Sequence, residues 1–238
     1  DTHTRWVTGH RAEDFGLDLG AARDLVEREQ PHVVLLPSPN NPTGTALEPA
    51  VVSALCESVG EGGIVVVDEA YGEFRRSGTP SALELLPRHR NLVVTRTMSK
   101  AFAAAGLRLG YLAADPAIAD AVRVVRLPYH LSAVTQAVAL AALRHAPELL
   151  AAVDDLRAER DATVAWLREQ GLTVADSDAN FCLFGRFDDR HAVWGALLAH
   201  GVLIRETGPQ GWLRVSVGTP DEMDTFKDAL SRVMKEHT

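Results

Sequence analysis

Apolar and polar positions follow two periods in the first half of the chain. Three short runs carry almost no polar interruption: HVVLLP at 32–37, IVVV at 64–67 and NLVVT at 91–95. Runs of this length and content read as buried strands. LRLGYLA at 107–113 reads as a fourth. Between them, apolar residues recur at helical spacing over 17–30, where Pro31 stops the pattern, and over 48–59, which Gly60 closes. Strands alternating with helices predict an α/β layer with a largely parallel sheet.

The pattern changes after Asp115. A helix over 116–126 leads into LPYHLS, and long helical stretches follow over 132–145 and 147–170. The remainder alternates shorter elements: FCLFGRF, a helix over 192–200, VLIRE, WLRVSVG and a final helix from 220 to about 235. This divides the chain into a large domain over 1–130, connecting helices over 131–170 and a small α/β domain over 171–238. No internal repeat or low-complexity tract interrupts it.

With 238 residues, 46% of them hydrophobic, the chain can build a sizeable core. A net charge of −8 argues against a nucleic-acid binder that works through a basic surface, and leaves room for a local cationic pocket. No apolar run approaches the ~20 residues that span a bilayer. The two cysteines, Cys56 and Cys182, sit in apolar surroundings and read as small buried hydrophobes; a disulfide is not expected, and a reducing cytoplasm fits. The histidines show no metal-ligand spacing. The chain opens on Asp1, and DTHTRWVTGHRAEDFGLDL reads as a piece of a longer protein.

Three of the strands end in polar residues. Asn40, Asn41, Pro42, Thr43 and Gly44 follow the first. Asp68, Glu69, Ala70 and Tyr71 follow the second, and Arg96, Thr97, Met98, Ser99 and Lys100 the third. Ligands of parallel α/β sheets bind beyond the carboxyl ends of the strands, so one pocket can collect Asn41, Asp68, Tyr71, Ser99 and Lys100. A lysine amine in such a place can form an imine with an aldehyde. A carboxylate after a wholly apolar strand wants a cation, and a protonated pyridine is one. Pyridoxal phosphate (PLP) brings aldehyde, pyridine and phosphate together. Each piece also has a plainer reading. Asn-Pro-Thr-Gly suits a turn, Asp68 suits a helix N-cap, and Arg108 suits a surface ion pair.

SPNNPTG, VVVDEAYGEF, TRTMSKAFAAAGLRLGY and WLRVSVG together resemble the blocks of fold-type I aminotransferases. DEAYGEF, RTMSKAFAAAGLRLGY and VRLPYHLS are similar to the histidinol-phosphate aminotransferases within that superfamily. The resemblance covers essentially the whole chain, and the Ser-Lys block with Arg eight residues beyond the lysine is its most specific part. It implies a large cofactor domain and a small C-terminal domain. It implies that Lys100 bonds the cofactor and shuttles a proton, and that Asp68 keeps the pyridine protonated. Tyr71 and Asn41 then bind the ring oxygen, and Thr97, Ser99 and Arg108 the phosphate. Arg214 matches the arginine that grips the substrate α-carboxylate, and Arg205 a second anion-binding arginine, otherwise an exposed strand-end charge. Asn180 is expected to serve structure. Tyr129 and His130 are expected near a domain or subunit boundary, with packing the favoured role for the histidine.

The resemblance further implies a cytoplasmic homodimer that moves an amino group between histidinol phosphate and 2-oxoglutarate or glutamate in histidine biosynthesis. The alternatives are an aromatic-amino-acid aminotransferase, a PLP-dependent decarboxylase of a phosphorylated amino acid, and an inactive fragment or interaction module. Members of the family are longer at the N-terminus, where a glycine-containing loop and helix help bind the phosphate. This chain alone is therefore expected to bind PLP weakly and to turn over poorly.

Overall fold

The structure, a computed structural model, describes residues 3–9 and 11–236. Helix α1 (Leu19–Glu29) starts where the Asp18 side chain accepts from the Ala21 amide at 3.1 Å. Strand β1 (Val33–Pro37), helix α2 (Pro49–Val59) and strand β2 (Ile64–Asp68) form a β-α-β unit. Strands β3 (Leu92–Thr97) and β4 (Gly110–Ala114) complete a sheet of order β1-β2-β3-β4. The first three are parallel and β4 is antiparallel. Val52, Leu55 and Cys56 of α2 pack on Val65, Val67, Leu92 and Val94 to form its core.

Two capped helices follow. Asp115 caps α3 (Pro116–Val125), and Ser132 caps α4 (Ala133–Arg144) by accepting from Thr135 N at 3.0 Å. The long α5 (Ala146–Glu169) leads to a second, antiparallel sheet of β5 (Thr173–Val174), β6 (Phe181–Gly185) and β7 (Trp212–Ser216). Helices α6 (Arg190–Ala199) and α7 (Pro220–Glu236) cover it, with Leu197, Phe226, Leu230 and Val233 against Cys182, Phe184 and Leu213. Among the described residues, no helix is long and apolar enough to cross a membrane.

Three sequence expectations, and one of the plainer alternative readings, need correction. The run at 32–37 is a strand but not a buried one: Val33 and Leu35 are 48% and 56% exposed. β1 lies at the sheet edge, and only its alternate residues Val34 and Leu36 join the cluster with α2. The strand expected over 107–113 begins only at Gly110, because 105–107 form a 3₁₀ turn and Arg108 is left-handed at φ 50°. VLIRE is not a strand: the Val202 amide bonds back to Leu197 O at the end of α6, and only Arg205 bridges to β7. Asp68 caps no α-helix; a 3₁₀ turn at Gly72–Phe74 follows it. The two-residue β5 has no counterpart in the sequence reading.

The two sheets meet at Ser177, Asp178 and Ala179. The Asp178 carboxylate accepts from Arg76 N at 2.7 Å, and its own amide donates to Gly44 O at 2.8 Å. Gly44 is left-handed at φ 81°, and a Cβ there would meet Ser177 Oγ at 2.3 Å and Ser177 Cα at 3.0 Å. Gly44→Ala is therefore expected to lower stability by about 2 kcal/mol or more, the combined result of a left-handed alanine and a backbone clash. Urea unfolding would measure it, and an unchanged midpoint would show that the seam yields without cost. The thiols of Cys56 and Cys182 are free and buried, and burial pushes them up to about 11 and about 12. Neither should react with a thiol reagent at pH 8 until the chain unfolds; rapid labelling of the native chain would contradict this packing.

Candidate active site

In-register pairing builds the site. Pro37 is paired with Asp68, and Asp68 with Thr95, so the loops after β1, β2 and β3 leave from one edge of the sheet. Asp68 is exposed there, with Thr95 Oγ1 donating to its Oδ1 at 3.0 Å, and it has no ion pair among the described residues. The next carboxylate turns the other way. Glu69 is 1% exposed and accepts from Arg75 Nη1 and Arg96 Nη2, both at 2.6 Å, from the Ser81 hydroxyl and from Ala82 N. Burial alone would raise its pKa, but Arg75, the Ala82 amide and Ser81 outweigh that and hold it below the ordinary carboxylate range.

Tyr71, half-buried just beyond, lies beneath the Lys100 amine, whose Nζ is 5.5 Å from the ring centroid. Lys100 is exposed and forms no ion pair among the described residues. Asn41 Nδ2 points to the Tyr71 hydroxyl at 3.5 Å, and Asn41 Oδ1 accepts from Arg214 Nη1 at 2.6 Å. Arg214 comes from β7 in the other sheet. Its guanidinium stacks over Phe181 at 4.7 Å, and Phe181 also packs edge-on to Tyr71 at 5.2 Å. Arg214 Nε is buried without a hydrogen-bond partner. Burial pushes the Arg214 pKa down; Tyr71 works against this and the Arg205 cation with it, and a guanidinium stays charged regardless. Lys100, Tyr71, Asn41, Phe181 and Arg214 are thus one connected group.

Arg205 and Arg214 exchange two backbone hydrogen bonds of 2.9 Å across an antiparallel bridge. Residues paired in this way project on the same side, so the two cations are neighbours. Arg205 is exposed. Thr97, Ser99 and Arg108 share a different corner. Thr97 Oγ1 is 2.9 Å from Ser99 Oγ and 3.3 Å from Leu109 O, beside Arg108. The Arg108 side chain is exposed and, among the described residues, donates to Ala105 O at 3.1 Å. Asn180 serves through its backbone, its carbonyl accepting from Val217 N at 2.9 Å. Tyr129 is fully exposed and His130 is exposed. A cleft of about 920 Å³ lies between Phe15, Pro42, Phe187 and Trp212, and its lining does not include Lys100.

The arrangement offers an amine, a phenol and an amide and, among the described residues, a carboxylate lacking a cation and three arginines without carboxylate partners. Such a set suits a small, multiply anionic ligand with a cationic ring. The model of the aminotransferases of class I and II matches residues 2–230. The chain belongs to this family. It is 64% identical over 229 residues to a histidinol-phosphate aminotransferase of Thermobifida fusca, covering 96% of this chain and 62% of that protein. A histidinol-phosphate aminotransferase of Frankia casuarinae is 59% identical, covering 98% of this chain and 59% of its own. The crystal structure of histidinol-phosphate aminotransferase from Sinorhizobium meliloti in complex with pyridoxal-5'-phosphate superposes with a TM-score of 0.87 at 29% identity, over 98% of this chain and 65% of that one. The chain therefore spans less than two thirds of the length of these aminotransferases. The fold expected from the sequence, α/β with a mostly parallel sheet and a smaller C-terminal α/β part, is borne out by this likeness.

Three residues around this candidate site escaped the sequence reading: Thr95, Glu69 and Phe181. The strand register carries a signal for the first, since Thr95 falls opposite Asp68. The other two act through tertiary contacts. Glu69→Ala would leave Arg75 without its carboxylate and Arg96 with Glu73 alone, at 3.0 Å, and is expected to cost about 3–5 kcal/mol, as for a broken buried pair. The pH dependence has a definite sign. The folded pKa of Glu69 lies below the ordinary value of 4.5, so its contribution is complete above 4.5 and lost as pH falls through the folded value. Denaturant midpoints from pH 7 down to pH 3 should fall more steeply in the wild type than in Glu69→Ala; parallel curves would contradict this.

Proposed function

We propose that this chain carries most of the site of a PLP-dependent histidinol-phosphate aminotransferase, acting between histidinol phosphate and 2-oxoglutarate or glutamate in histidine biosynthesis. One observation carries the reading: Asn41 joins Tyr71, beneath the Lys100 amine, to Arg214, which is bridged in turn to Arg205. The site residues fit PLP by what they leave unsatisfied. Among the described residues, Lys100 has no carboxylate partner, Asp68 has no cation, and Arg214 Nε is buried without an acceptor.

When bound, PLP supplies an aldehyde to take up the amino group and a ring to draw electrons from the substrate. Lys100 gives the amine that bonds it and carries the proton to and from the substrate α-carbon. Asp68, oriented by Thr95, holds the proton on the ring nitrogen. Tyr71 and Asn41 donate to the ring oxygen, and Thr97, Ser99 and Arg108 bind the phosphate. The Arg214–Arg205 pair serves both substrates. Glutamate presents a carboxylate to it and histidinol phosphate a phosphate, and guanidinium groups bind either in a paired, charge-assisted way.

The division at 130 and 170, a cytoplasmic location and a homodimer belong to the same proposal. The exposed Val124, Val125, Leu127 and Tyr129 support the dimer as an unpartnered apolar stretch.

The first test is the visible spectrum of the chain with PLP, before and after borohydride, with the modified residue mapped by mass spectrometry. A phosphopyridoxyl group on Lys100, absent in Lys100→Ala, is expected, with weak uptake in this chain and full uptake in a protein of the relatives' length. Modification at another residue, or none in either protein, overturns the reading. In the longer protein Arg214→Gln should raise KM for both substrates about 10–100-fold, as the loss of a charged hydrogen bond of about 1.5–3 kcal/mol requires. Faster turnover of phenylalanine, or carbon dioxide release from a phosphorylated amino acid, would replace the assigned substrate.

A further inference from the structure

Arg205 is held to β7 by a single bridge, and the six residues between it and β7 include two left-handed glycines, Gly208 at φ 92° and Gly211 at φ 84°. The ends of this loop are tied as well at Ile204 O, which accepts from Trp194 Nε1 at 3.1 Å, and at Gly211 O, which accepts from Arg186 N and Phe187 N, both at 2.9 Å. The stretch between these ties is gathered by Arg190, the first residue of α6. Its Nη1 lies 2.8 Å from Pro209 O and 3.4 Å from both Gly208 O and Trp212 O. Its Nε donates to Glu206 Oε1 at 3.2 Å. The carboxylate of Glu206 is shared with His191 Nδ1 at 3.0 Å. A cation at a helix N-terminus is electrostatically unfavourable, so its place there is explained by these contacts rather than by the helix. Four of its neighbours belong to the loop between Arg205 and Arg214, or to the start of β7.

We propose that Arg190 is a positioning residue for the anion site: its planar fork clasps the 206–212 segment and so holds Arg205 beside Arg214. It touches neither substrate nor cofactor. The inference rests on the two-arginine site of the preceding section. A lysine could match the charge but could not reach three carbonyls and a carboxylate from one rigid group.

The test compares wild type, Arg190→Met, Arg190→Lys and Arg214→Gln. Hydrogen exchange reads the clasp directly, through the Arg205 and Arg214 amides. In Arg190→Met their protection should fall at least about tenfold, while the amides of Cys182 and Leu183 in β6 stay protected. Titration with inorganic phosphate, followed by calorimetry, should show affinity about tenfold weaker. In the PLP-loaded protein, KM for histidinol phosphate should rise with kcat within about twofold, and the borohydride adduct on Lys100 should be unchanged. Arg190→Lys should follow Arg190→Met.

Unchanged exchange at Arg205 and Arg214 would overturn the clasp. Loosened amides with undiminished phosphate affinity would overturn its role in positioning. Wild-type behaviour of Arg190→Lys beside a defective Arg190→Met would reduce the residue to a charge and overturn it too. If Arg214→Gln binds phosphate as wild type does, the anion site itself falls and takes this inference with it; the exchange data distinguish that outcome from failure of the clasp.

Discussion

Arg160 lies on α5 with no solvent exposure, and its guanidinium reaches into both halves of the molecule. Nη1 donates to Phe74 O, beyond β2, and to Ala179 O, just before β6. Its one carboxylate, Asp161, is half exposed, at 2.9 Å. Burying a cation among carbonyls is costly, and Nη2 is left without a partner. The cost is tolerable because those carbonyls would otherwise be orphaned at the meeting of two sheets. Asp178 and Gly44 complete the same seam from the loop side. The candidate site depends on this junction. Asn41 lies three residues before Gly44, and Phe181 two residues after Ala179. A shift at the seam would part Asn41 from Arg214.

Asp68 and Glu69 show how one strand end serves stability and chemistry together. Strand alternation sends consecutive side chains to opposite faces. The first carboxylate stays exposed and free of ion pairs, and the second is sealed beneath it with two arginines and a hydroxyl. Glu69 binds the 75–82 loop and the end of β3 at once. That fixes the backbone from which Asp68, Tyr71 and Thr97 all project. The exposed face can be left electrostatically unsatisfied because the buried face is so fully satisfied.

Much of this was legible in the sequence where local chemistry and strand order coincide. Asn41, Asp68, Tyr71, Ser99 and Lys100 each follow an uninterrupted apolar run, and parallel strands in register must deliver such positions to one edge. Arg214 was legible through its block. What could not be read depends on contacts across more than 80 residues: Arg160 with Phe74, Asp178 with Arg76, Phe181 with Tyr71. Periodicity has no information about which loop meets which helix. The expected strand in VLIRE failed for a related reason. Its alternation is apolar enough, but Val202 is taken by the end of α6 before pairing can start.

The Asn41–Arg214 contact gives the site its logic. An amide has a donor end and an acceptor end. Here the donor end faces the Tyr71 hydroxyl and the acceptor end faces a guanidinium from the other sheet. The phenol and the guanidinium thus meet through one planar group. Arg214 is also stacked on the ring that supports Tyr71. Two routes, one polar and one aromatic, connect Tyr71 to Arg214. Neither sheet alone contains both ends of this connection, so the seam between the sheets is what brings them together.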